Sequence, residues 1–127
     1  PEKLRREPET FLADMYSLSG TLYHSLTGRT PFEAPQIDDV VLAHLNTPLT
    51  PPNKVVQSIS ESTSGVISRA MDKNPARRYE SYDQFKIQIY FISNVKKHNR
   101  KQDSAPCPHL TNEQRFYRKF HSLFSKL

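Results

Sequence analysis

A single cysteine, Cys107, stands in the 127 residues, so no internal disulfide can form, and the thiol usage fits a reducing, cytoplasmic setting. Glycine is nearly as scarce, at three residues, and no Gly-x-Gly-x-x-Gly stretch is present to cradle a phosphate. The longest apolar runs are Val40-Val41-Leu42-Ala43 and Ile89-Tyr90-Phe91-Ile92, far short of the ~20 residues needed to span a bilayer. The chain opens Pro-Glu-Lys-Leu-Arg-Arg-Glu, with neither Met nor a leader-like apolar stretch, and is read as a processed chain or a fragment.

Acidic residues run out towards the C-terminus. Residues 1–93 carry ten Lys and Arg against eleven Asp and Glu, whereas 94–127 carry eight against two. The net charge of +5 therefore belongs to the tail, and a globally basic surface is excluded. Such a tail fits an anionic membrane surface or a partner protein. Nucleic acid is not expected, because base stacking needs aromatics exposed among the basic residues and the tail's Phe residues share one apolar face.

What is present is helical periodicity. Phe11–Leu26 reads as a first helix with apolar residues on nearly every side, so it is expected to be enclosed by neighbours. Gly28 follows it, suited to a left-handed turn. A second helix is expected over Ile37–Leu45, with Asp38 and Asp39 in the first turn where the helix dipole favours them. The three prolines of Asn46-Thr47-Pro48-Leu49-Thr50-Pro51-Pro52 then suggest an extended connection. A third helix over Glu61–Met71 has Ser60 as its N-cap and Val66, Ile67, Ala70 and Met71 on one face, although Gly65 weakens it by ~1 kcal/mol.

The fourth helix begins at Ser81, where Ser81 and Gln84 form a capping-box pattern and Phe85, Ile89 and Ile92 repeat at helical spacing. Residues 99–110 read as a polar linker. Residues 111–127 read as a basic amphipathic helix with Phe116, Phe120, Leu123, Phe124 and Leu127 on one stripe. No strand pattern and no internal repeat is evident. The fold class is all-α: four helices within 1–98, then linker and tail helix.

Three motifs, in order, carry a resemblance. Pro1-Glu2, Asp14-Met15-Tyr16-Ser17-Leu18 with Leu26-Thr27-Gly28-Arg29-Thr30-Pro31-Phe32, and Asn74-Pro75-Ala76-Arg77-Arg78-Tyr79 cover residues 1 to about 98. They resemble the C-terminal lobe of a eukaryotic-type Ser/Thr protein kinase, nearest to the bacterial members. Pro1-Glu2 would end the Ala-Pro-Glu motif. The resemblance implies that Glu2 pairs with Arg78, with Arg77 as the neighbouring candidate. A planar guanidinium suits a two-pronged carboxylate pair, and a surface pair of little worth is the other reading. It also implies that Asp14 accepts backbone N–H groups of a catalytic loop in the intact parent.

The parent so implied transfers the γ-phosphoryl group of ATP, with Mg²⁺, to Ser/Thr of a protein substrate. The Gly-rich loop, the phosphate-binding Lys, the catalytic-loop Asp and Asn and Asp-Phe-Gly all precede Ala-Pro-Glu in chain order. This chain is therefore expected to supply substrate-side scaffold, to hold no cofactor and to be inactive alone. The alternative is a non-catalytic interaction module, either a pseudokinase remnant or a helical adaptor. Two departures stand out: Ser19 occupies a position where the family has Gly, and His24 one where Arg-preferring members carry an acid. Cys107 and His109 lie close together, but two ligands do not make a zinc site, which needs about four.

Overall fold

The computed structural model describes residues 1–8 and 10–99. Among them the secondary structure is helical without strands: α1 (Phe11–Thr27), α2 (Ile37–Asn46), α3 (Pro52–Val55), α4 (Glu61–Ala70), a single 3-10 turn (Pro75–Arg77) and α5 (Tyr82–Asn99). The expected linker and the tail helix lie outside the described residues, except that α5 runs through Asn99.

Local chemistry accounts for most boundaries. The Thr10 side chain accepts from the Leu12 N–H at the start of α1, and Gly28 ends that helix at φ 73°, a left-handed conformation that costs glycine nothing. The Ser60 hydroxyl accepts from the Thr63 N–H to open α4, and Met71 forms its C-cap rather than its last helical residue. At α5 the Ser81 hydroxyl accepts from the Gln84 N–H. The Gln84 side chain, however, accepts from Glu80 N–H instead of closing the box on Ser81.

The proline-rich connection is not wholly extended. Pro52 sits in the first turn of α3, where its missing N–H costs nothing and its fixed φ favours the helix. Asn53 of α3 is tied to α4, since the Ser64 hydroxyl donates to Asn53 Oδ1 at 2.9 Å. Proline content alone suggested a loop because this tie is tertiary.

The core joins Met15, Tyr16, Leu22, Tyr23 and Leu26 of α1 to Ile67 and Ala70 of α4 and to Phe85 and Ile89 of α5. The middle place falls to α4, which packs on α1, α3 and α5. The expectation that α1 is apolar on nearly every side and enclosed is corrected here. Its buried residues, Met15, Tyr16, Ser19, Leu22, Tyr23 and Leu26, occupy one face. Ser17, Thr21 and Ser25 fall four residues apart on the other, exposed face. Their hydroxyls donate to the carbonyls of Ala13, Ser17 and Thr21 within the same helix. The outer face is thus narrow and internally satisfied; Phe11 at the start of α1 is exposed, and further exposed large apolar side chains lie on other helices, at Ile37, Leu42, Ile87 and Phe91.

Candidate functional site

A buried polar cluster joins the N-terminal stretch to the turn before α5. The N-terminal stretch folds back in tight turns, with Arg5 N–H donating to the carbonyls of Pro1 and Glu2 and Glu7 N–H to that of Glu2. These turns present the Glu2 carboxylate inward, leaving the residue 3% exposed. Its partner is set by a second local device. The Asp72 carboxylate accepts from Asn74 N–H and the Asn74 side chain from Ala76 N–H, bracketing the 3-10 turn. Arg78 then leaves that turn 1% exposed, while Arg77 beside it is exposed.

Arg78 meets Glu2 with both prongs: Nη1 donates to Oε1 at 2.6 Å and Nη2 to Oε2 at 2.9 Å. Two further N–H donors are used as well, Nε on the Asp72 carbonyl at 2.9 Å and Nη1 on the Leu12 carbonyl at 2.6 Å. The guanidinium carbon also lies 4.9 Å from the centre of the Tyr16 ring. A buried ion pair stabilises when its leftover donors are also satisfied, and four of the five Arg78 N–H groups have acceptors. The cluster therefore pins the N-terminal stretch, α1 and the turn before α5 to one another.

The hydrogen bonds from Arg78 hold the Glu2 carboxyl down at about 2, against the opposing effect of burial. The folded value lies below the ordinary 4.5, so this stability is complete above pH 4.5 and is lost as the pH falls towards about 2. Urea titrations at steps from neutral pH down to about pH 2.5 should show stability falling across that window. Replacing Glu2 with Gln should remove most of that fall. An unchanged profile in Glu2→Gln would refute the pairing as its source.

Next to this pair, Lys73 reaches across to α2. Its ammonium donates to the Ala43 carbonyl at 3.0 Å and the His44 carbonyl at 2.7 Å, and sits 3.9 Å from the centre of the Phe32 ring. Burial, with Arg5 and Arg78 nearby, lowers the Lys73 ammonium to about 8. Tyr16 completes the group, its hydroxyl 3.0 Å from His44 Nδ1, and burial pushes its phenol up to about 12.

Asp14 stands apart from this cluster, exposed in the first turn of α1. Ser19 is fully buried on the core face, and its hydroxyl has no hydrogen-bond partner among the described residues. Gly20, next to it, has space: a Cβ would meet Met71 and Pro31 side chains only at 3.8 and 3.9 Å. His24 is exposed on α1, and Cys107 and His109 lie outside the described residues. Lys73 and His44 were not singled out from sequence, and no spacing rule could have joined them across 29 residues.

No known family model matches the chain. Comparison with curated proteins, however, finds relatives. PknE of Mycobacterium tuberculosis, a serine/threonine-protein kinase, is 38% identical over 79 residues, or 62% of this chain. PknH of Mycobacterium bovis is 33% identical over 81 residues, 64% of this chain. The chain is related to serine/threonine protein kinases. A probable serine/threonine-protein kinase PknB of Bifidobacterium longum extends the match to 94 residues at 31% identity, 74% of this chain. The kinase-related region is a small part of such proteins, since the chain spans about 14% of the length of these relatives. Over that part it is helical, as the resemblance implied for the C-terminal lobe of a kinase.

Proposed function

We propose that the chain forms the C-terminal, substrate-side scaffold of a protein that transfers the γ-phosphoryl group of ATP to Ser or Thr of a protein substrate. The observation that carries this reading is the two-pronged Glu2–Arg78 pair, which ties residues 76 positions apart in a segment similar to bacterial kinases. Such a pair makes the base of an activation segment rigid, so that a substrate segment bound beside it meets a fixed surface. Asp14, exposed at the start of α1, is where a catalytic loop would take its anchoring backbone hydrogen bonds.

The groups that would hold ATP and Mg²⁺ are expected in the parent protein upstream of Pro1. The sequence carries no Gly-rich phosphate loop, and no group of three or more His, Cys, Asp and Glu that could hold an ion is assembled among the described residues. The basic stretch 94–127 would add a contact with an anionic surface or a protein partner.

The reading is tested by the coding sequence upstream of Pro1 and by the protein it encodes. His-Arg-Asp-x-x-x-x-Asn and Asp-Phe-Gly within the preceding few dozen residues are expected, together with ATP-dependent phosphate incorporation into a Ser/Thr peptide library. The 127-residue chain alone should incorporate none. Absence of those motifs together with no incorporation by the encoded protein would leave a non-catalytic interaction module instead.

A further inference from the structure

Helix α2 contributes no buried side chain to the core, and Ile37 and Leu42 on it are exposed. Beyond half-buried Ala43, which packs against the core, such a helix needs further attachment, because an isolated ten-residue helix is marginal in water. The attachment lies at its C-terminal end. The Lys73 ammonium donates to the Ala43 and His44 carbonyls, where a cation also complements the helix dipole. The His44 ring stands edge-on to the buried Phe32 ring, at 4.8 Å between centres and 68°. The same ring shares a hydrogen bond with Tyr16 of α1.

We propose that His44 is a proton-sensitive latch: neutral, it seats the end of α2 on the platform of Tyr16, Phe32 and Lys73, and protonated it releases α2 while the rest of the bundle stays folded. In neutral His44 carrying its proton on Nε2, the Tyr16 hydroxyl donates to Nδ1 at 3.0 Å. That bond can reverse on protonation, because the Tyr16 oxygen also accepts. What changes is charge. A second cation is then placed against the Lys73 ammonium at a half-buried position, with no carboxylate among the described residues to offset it.

Among the described residues, the groups facing the ring leave no compensation. From α1 comes Tyr16, behind whose ring lies the Arg78 guanidinium; from the loop after α1 comes uncharged Phe32; from the segment after α4 comes Lys73. In this chain the amino group of Pro1 adds a smaller repulsion. Glu2 is taken by Arg78, and exposed Glu33 lies within reach of the Thr30 hydroxyl. Asp38 and Asp39 sit in the first turn of α2, about 8 Å along the axis from His44.

Burial, and then Lys73, hold the His44 imidazole below its ordinary 6.5, so the released form binds the proton more tightly than the seated form. Seating therefore weakens as the pH falls below 6.5. Lys73, lowered only to about 8, remains a cation through that range.

Amide hydrogen exchange of the 127-residue chain, corrected for intrinsic rates, tests the latch. Protection of α2 should fall several-fold between about pH 7.5 and about pH 5.5, while that of α4 falls less. In His44→Gln, whose amide oxygen still accepts from Tyr16 but does not titrate, the extra fall in α2 should vanish. The other histidines stay in that variant and act as the internal control. A nuclear magnetic resonance titration of the unaltered chain needs no variant and should place His44 below the ordinary 6.5. Equal protection of α2 at both pH values, a parallel loss in α4, the same loss in His44→Gln, or His44 titrating at or above the ordinary 6.5 would each overturn the proposal.

Discussion

Replacing Arg78 with alanine should lower the unfolding free energy by about 3–5 kcal/mol, the cost of stranding a buried charge. Five contacts converge on this side chain: two prongs on Glu2, the Asp72 and Leu12 carbonyls, and the face of the Tyr16 ring. Alanine leaves the Glu2 carboxylate 3% exposed with its guanidinium gone, and leaves two carbonyls short of a donor. Lysine keeps the charge but cannot span both carboxylate oxygens and the Asp72 carbonyl at once, so Arg78→Lys should recover only part of the loss. Alanine at Arg77, which is exposed, should stay within about 0.5 kcal/mol of the starting protein. Urea denaturation followed by circular dichroism reads all three. A loss under about 1 kcal/mol for Arg78→Ala would mean that the pair behaves as a surface ion pair and not as the tie between the N-terminal stretch and the turn before α5.

The second large effect belongs to Phe85. This ring is 2% exposed, packs 5.3 Å from the Tyr79 ring and seats α5 against α4. Phe85→Ala should cost about 3–5 kcal/mol, made of the lost transfer energy and the cavity left behind. Phe91 in the same helix is 62% exposed, and Phe91→Ala should change stability by less than about 0.5 kcal/mol. The contrast matters more than either value, because both substitutions remove the same ring from the same helix. If the two losses are equal, α5 is not docked through the face that carries Phe85.

Kinase relationship and helix placement were readable for different reasons. Gly28, Ser60 and Ser81 mark helix ends because a left-handed turn or an orphan N–H is satisfied within three or four residues. The periodic apolar positions Phe85, Ile89, Val66 and Ile67 turned out buried for the same local reason, one face per helix. The partnership of Glu2 with Arg78 came from resemblance to a family, since no spacing argument spans 76 positions.

α1 shows where counting apolar residues misleads. The run from Ala13 to Leu26 looks apolar all round until Ser17, Thr21 and Ser25 are seen to share a face and to bond to their own helix. Likewise, prolines near Pro52 argued against the short helix α3, which persists because Asn53 is held by Ser64 of α4.

Helix ends, faces and the all-α class were settled by interactions between near neighbours, which any stretch of chain carries with it. The choice of Arg78 over Arg77, the reach of Lys73 to the end of α2, the middle place of α4 and the burial of an unpartnered Ser19 hydroxyl were decided only on folding. Each of these depends on which distant groups lose water together, and that is a property of the packed whole.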